Sequence, residues 1–206
     1  MLLTALEFAG LVAFAASGAL AAVRARLDVF GVVVVGLTTA LGGGIIRDVL
    51  LGIHPPTSLR NWPYLAVCAV TALVVFAFHP QVARLRHAVL LADAVGLGVF
   101  ATAGTTLALN AGATGYAACL IGMTSGIGGG ALRDLLLREI PLVLRKEIYA
   151  MAALTGAVCV WVGHALSLPA GAVTTVSAAV VVAIRVLTLW RHWNAPVARP
   201  PEERSL

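Results

Sequence analysis

TTALGGGIIRDVLLG, residues 38–52, sets three successive glycines and an Arg-Asp pair inside an apolar run. The pattern returns at residues 122–137 as GMTSGIGGGALRDLLL. Arg133-Asp134 lies 86 residues after Arg47-Asp48, and that frame extends well beyond the motif. In it Gly10 falls on Gly96, Phe14 on Phe100, Gly18 on Gly104, Gly36 on Gly122, Thr38 on Thr124 and Pro55 on Pro141, without a gap. Glu7 falls on Asp93. Composition explains shared Leu or Ala in two apolar segments. It does not explain a shared GGGxxRD in a shared frame, so the chain reads as a duplication.

The chain has 206 residues, 60% hydrophobic and only 11% charged, with a mean hydropathy of +0.97. A soluble domain carries about a quarter charged residues, so this chain lacks the polar surface that water requires. Seven apolar stretches are read at 2–23, 29–53, 62–78, 88–109, 115–137, 148–166 and 169–190. Each is of the order of 20 residues, which spans a hydrocarbon core of about 30 Å as a helix. Residues 1–23 do not read as a signal peptide, because they have no basic start, carry Glu7 and run long before Arg24. Residues 191–206 are polar and proline-rich and are read as a flexible cytoplasmic tail after a single membrane domain, 1–190.

Arginine placement orients the spans. Arg24, Arg26, Arg84, Arg86, Arg138, Arg145, Lys146, Arg191, Arg199 and Arg204 fall on one side and only Arg60 on the other. This skew predicts an N-terminus outside and a C-terminus inside. It also explains the net charge of +5 without nucleic acid. Cys68, Cys119 and Cys159 sit in apolar spans and read as small hydrophobes, not as a disulfide or metal site. The five histidines show no ligand spacing, and neither a phosphate loop nor a nucleophile motif appears, so neither an enzyme nor a cofactor is expected.

Each unit, about 2–79 and about 88–166, holds three spans. An odd number sends the second unit into the membrane upside down. The predicted fold is therefore all-α: two inverted three-helix repeats plus a seventh helix at about 169–190. Three glycines in a membrane helix each cost about 1 kcal/mol relative to Ala. Two uses suit them. The second and fifth spans kink at Gly42, Gly43, Gly44 and at Gly128, Gly129, Gly130, freeing carbonyls toward a polar path; or the triads let helices pack closely.

Ionisable residues within spans usually line a cavity or pair. Neighbours i and i+1 do not face each other on a helix, which predicts cross-helix pairs of Arg47 with Glu7 and of Arg133 with Asp93. That leaves Asp48 and Asp134 freer to attract a permeating cation, and Thr38, Thr39, Thr124 and Ser125 are further lining candidates. The alternatives are charges that snorkel at helix interfaces and hydroxyls that bond back to their own helices. Arg185 reads as a snorkelling residue near the inner boundary.

The two glycine-arginine-aspartate segments resemble the doubled signature of the TRIC family, the trimeric intracellular cation channels, in its prokaryotic branch. The same sequence group is also described as a glycine-transporter domain family. The resemblance covers about residues 6–190. It implies a homotrimer in membrane lipid with one pore per subunit, kinks at the triads with Arg47, Asp48, Arg133 and Asp134 beside them, and permeation by monovalent cations, chiefly K⁺. The basic lipid-binding stretch of animal members has no clear match, only a faint echo at residues 145–147, so phosphoinositide regulation is not expected. The first expectation is a K⁺-permeable channel. The alternative is a secondary transporter for a small amino acid such as glycine, since broken helices and inverted repeats serve both.

Overall fold

A computed structural model of the chain describes residues 2–78, 88–145 and 147–191, and every regular element among them is helical. In chain order these are α1 (Leu2–Arg24), α2 (Val29–Leu50), α3 (Thr57–Arg60), α4 (Trp62–Ala77), α5 (Ala88–Asn110), α6 (Gly115–Leu136), α7 (Leu142–Arg145), α8 (Glu147–Ala165) and α9 (Ala170–Arg191). The cytoplasmic tail expected after the last span lies outside the described residues, as do Arg84, Arg86, Lys146, Arg199 and Arg204.

Five helices are long and apolar enough to cross a membrane: α1, α2, α5, residues Ile148–Ala165 of α8, and α9. The other two long helices differ for visible reasons. α4 is apolar but has 16 residues. α6 has the length, but its glycines, hydroxyls and Arg133-Asp134 dilute its hydropathy. Large apolar side chains such as Phe30, Val70, Leu120 and Val176 stand exposed on the outer faces. For a protein in water that would be costly, whereas in hydrocarbon it costs nothing. The chain is an all-helical membrane protein.

Helices α1, α2, α6 and α5 form a closed ring in which each packs on the next. α4 covers α1 and α2, and α8 covers α5 and α6 in the same manner. The paired helices run antiparallel. Along α1 and α5, Gly10 meets Val99, Phe14 meets Gly96, and the Ser17 hydroxyl donates to the Val89 carbonyl at 3.2 Å. Two mirrored cores follow, one holding Leu11 and Ala15 and the other Leu97 and Ala101, residues 86 apart. α9 breaks the symmetry by packing on α5 and α8, a place that no helix among the described residues fills in the first unit.

Backbone turns repeat with the same fidelity. Leu51 caps the end of α2 and Leu137 that of α6, and the next residues, Gly52 and Arg138, both take the left-handed conformation (φ +70° and +57°). Ile53 N–H then reaches back to the Asp48 carbonyl, and Glu139 N–H to that of Asp134, each at 2.8 Å. This satisfies helix-end carbonyls that would otherwise lack donors. Arg26 and Gly112 form a second matched left-handed pair after α1 and α5.

Candidate functional site

The two triads meet where α2 crosses α6. A Cβ on Gly43 would run into the Ser125 carbonyl oxygen, and one on Gly129 into the Thr39 carbonyl oxygen. The middle glycines therefore serve close backbone approach. α2 and α6 both continue as α-helix through their triads, so the backbone is not broken there. The third glycines differ. Gly44 has no neighbour closer than Phe100 at 3.8 Å, whereas a Cβ on Gly130 would lie 2.9 Å from the Tyr149 hydroxyl and 3.2 Å from Asp93 Oδ1. Each of these two glycines faces a polar cluster, one on either side of the crossing.

The first cluster comprises Glu7, Arg47, Asp48 and Tyr64. Arg47 Nε donates to Asp48 Oδ1 at 2.9 Å, and Arg47 Nη2 lies 2.8 Å from the same oxygen. Arg47 Nη1 lies 3.8 Å from Glu7 Oε1, beyond hydrogen-bond distance, and the Tyr64 hydroxyl donates to Glu7 Oε2 at 3.2 Å. Asp48 Oδ2 accepts from Thr57 N–H at 2.7 Å, which holds the start of α3. Glu7, Arg47, Asp48, Ser58, Tyr64 and Phe100 line a small cleft.

The second cluster repeats this chemistry more tightly. Arg133 Nη1 donates to Asp93 Oδ1 and to Ser17 Oγ, both at 2.7 Å. Arg133 Nε donates to Asp134 Oδ1 at 2.9 Å, and Asp134 Oδ2 accepts from Leu142 N–H at 2.8 Å. Asp93 is fully buried and Arg133 is 2% exposed. A charge so deep is costly unless paired and hydrogen-bonded; Arg133 bonds both Asp93 and Asp134, whereas Arg47 bonds Asp48 and its Nη1 meets no acceptor among the described residues.

Two expectations change. Asp48 and Asp134 are not free carboxylates. Each is bound by the preceding arginine and by the N-terminus of a short helix, because a long guanidinium folds back to the nearest anion when burial leaves few others. Also, Pro141 corresponds to Pro56 and not Pro55: Thr57 N–H and Leu142 N–H make the same bond, and Leu59 and Leu144 N–H reach the carbonyls of Pro56 and Pro141 alike. The first unit thus has one extra residue in this turn. Among the hydroxyls, Thr39 donates to the Val35 carbonyl at 2.6 Å and Thr124 to that of Leu120 at 2.8 Å. Ser125 is buried at the crossing, and Thr38 is half-buried.

Sequence reasoning missed three groups. Phe14 and Phe100 stack at 5.4 Å between ring centres, at the crossing. Their matched positions in the repeat were the available signal. Phe100 lines the cleft, and Phe14 stands one turn before Ser17, which accepts from Arg133 of the second cluster. Tyr64 and Tyr149 face the acids of their clusters, but they lie 85 residues apart, so the repeat frame did not align them. Arg185 does not snorkel. It is 3% exposed, with its guanidinium carbon 4.7 Å from the centre of the Tyr149 ring.

The family model described as Glycine transporter matches the chain twice, over residues 4–80 and 90–165. A membrane protein of Deinococcus radiodurans is 46% identical over 158 residues, covering 76% of this chain and 74% of its own. The inner membrane protein YadS of Escherichia coli K12 is 38% identical over 198 residues, 95% of this chain and 96% of its own. Among solved structures, a TRIC cation channel studied for its conductance superposes with a TM-score of 0.88 at 36% identity, covering 96% of this chain and 97% of its own. The TRIC orthologue from Rhodobacter sphaeroides gives 0.89 at 35%, covering 93% and 98%. With the family model matched in both units and the fold shared along the whole chain, this protein belongs to the TRIC family, in the prokaryotic branch whose sequence group is also described as glycine transporters.

Proposed function

We propose that this protein is a K⁺-permeable cation channel of the bacterial inner membrane, assembled as a homotrimer with one pore per subunit. The observation that carries the reading is the likeness to solved TRIC cation channels over 96% of the chain at a TM-score of 0.88. In this reading all seven long helices cross the bilayer, with the N-terminus periplasmic and the C-terminus cytoplasmic, as the arginine skew requires. The cleft of Glu7, Arg47, Asp48 and Tyr64 then opens outward, and two acids against one base give it the sign that attracts a cation.

The Phe14–Phe100 stack and the glycine crossing form the barrier between that cleft and the inner cluster. Bending of α2 and α6 at their triads is the motion that would part them. The test is a planar bilayer containing purified protein under a KCl gradient. Unitary currents reversing toward the K⁺ potential are expected. Silence in the bilayer, together with saturable glycine counterflow in liposomes, would replace the channel with a carrier.

A further inference from the structure

The two halves of the molecule repeat each other closely, which makes their differences informative. The first cluster holds two acids, Glu7 and Asp48, and one base, Arg47. The second holds the matching acids Asp93 and Asp134 and the matching base Arg133, and a fourth group from outside the repeat, Arg185. Arg185 comes from α9, the helix without a counterpart, six residues before its end. Its guanidinium lies over the ring of Tyr149, whose hydroxyl adjoins Asp93 at Gly130, and among the described residues its Nε meets no acceptor. A guanidinium held without a full set of hydrogen bonds is costly in a buried site. Asp93 is already paired with Arg133 through Oδ1 at 2.7 Å, while its Oδ2 meets no donor among the described residues.

Sterics separate the halves in the same sense. Tyr64 is half-buried beside an open cleft, whereas Tyr149 is 1% exposed and covered by Arg185. The space that one half keeps as a cleft is filled in the other by an aromatic ring and a cation.

We infer that Arg185 is a specificity-determining residue of the ion path, a tethered cation supplied by the seventh helix that cancels the uncompensated negative charge of the inner half. The inference rests on the channel reading above. A permeating cation entering the outer half meets two acids and one base. Entering the inner half, it meets two acids and two bases, and it must displace the field of Arg185 before Asp93 can hold it. The conductance is then limited on the inner side, and the current is asymmetric in voltage.

The experiment compares wild type with Arg185→Gln, Arg185→Met and Arg185→Lys in planar bilayers with symmetric KCl. Removing one charge from a partly desolvated path is expected to raise unitary conductance by about threefold or more and to reduce the asymmetry, with Arg185→Lys staying near wild type. Neutral variants that conduct like wild type would overturn the inference. So would an equal change in Arg185→Lys, which would assign the effect to shape. Neutral variants that do not fold while Arg185→Lys does would assign the charge to folding. A wild type that carries no current would remove the channel reading itself.

Discussion

Adjacent glycines at the crossing are expected to respond oppositely to the same substitution. Ala in place of Gly within a helix favours the helix by about 1 kcal/mol. At Gly44 the added methyl finds the Phe100 ring at 3.8 Å and Arg47 Nη2 at 4.0 Å, both ordinary contacts, so Gly44→Ala should be neutral or stabilising by up to about 1 kcal/mol. At Gly43 the methyl meets the Ser125 carbonyl, with the carbonyl carbon at 3.1 Å and Gly129 N at 3.3 Å. The obstacle is backbone and has no rotamer to change, so α2 and α6 must separate along their crossing. Overpacking of this kind costs about 3 kcal/mol at the upper end of its usual range. After the helical gain, Gly43→Ala should lose about 2 kcal/mol, which puts the two variants about 3 kcal/mol apart. For a chain of this size that is about 6–12 °C in melting temperature. Thermal unfolding in detergent, followed by tryptophan fluorescence, measures it, and Gly129→Ala should behave as Gly43→Ala does. Melting of Gly43→Ala and Gly44→Ala within about 2 °C of each other would refute the close-approach argument.

Three other outcomes are expected. Asp134→Asn should destabilise by about 3–5 kcal/mol, because it strips a charge partner from a buried arginine; Glu7→Gln, a quarter exposed and 3.8 Å from its arginine, should cost under about 1 kcal/mol by the same melt. Phe100→Ala removes half of the stack and the inner wall of the cleft; a loss of about 3–5 kcal/mol is expected, together with raised basal K⁺ leak from loaded liposomes. Arg138→Gly places glycine in the left-handed cap that Gly52 already occupies and should raise stability by about 1 kcal/mol, read as a higher melting temperature.

Periodic features were legible in the sequence. The repeat is visible because two halves solving one packing problem keep glycine at the same crossings, and the matched caps Gly52 and Arg138 extend that to backbone conformation. The cross-helix partners of Arg47 and Arg133 could be read because few anions exist inside the spans. The bond of each arginine to its own neighbour could not. The rule against adjacent pairing describes a solvated helix surface, where side chains point away from one another, and burial overrides it. Tyr149 and Arg185 were hidden for another reason: one is shifted by the extra residue of the first unit, and the other lies outside the repeat. As sequence, the triads suit either a kink or close packing. At Gly43 and Gly129 the geometry is that of close packing.

The placement of α9 on only one unit has a consequence for how such a molecule acquires a direction. An assembly of two identical, oppositely inserted copies would present the same face to both compartments, and every substitution would appear on both. Fusing the copies into one chain removes that constraint, and an added helix docked on one copy then works on one compartment alone. In the proposed channel, the left-over helix, which contributes nothing to the symmetry, is thus one part through which the protein can tell inside from outside.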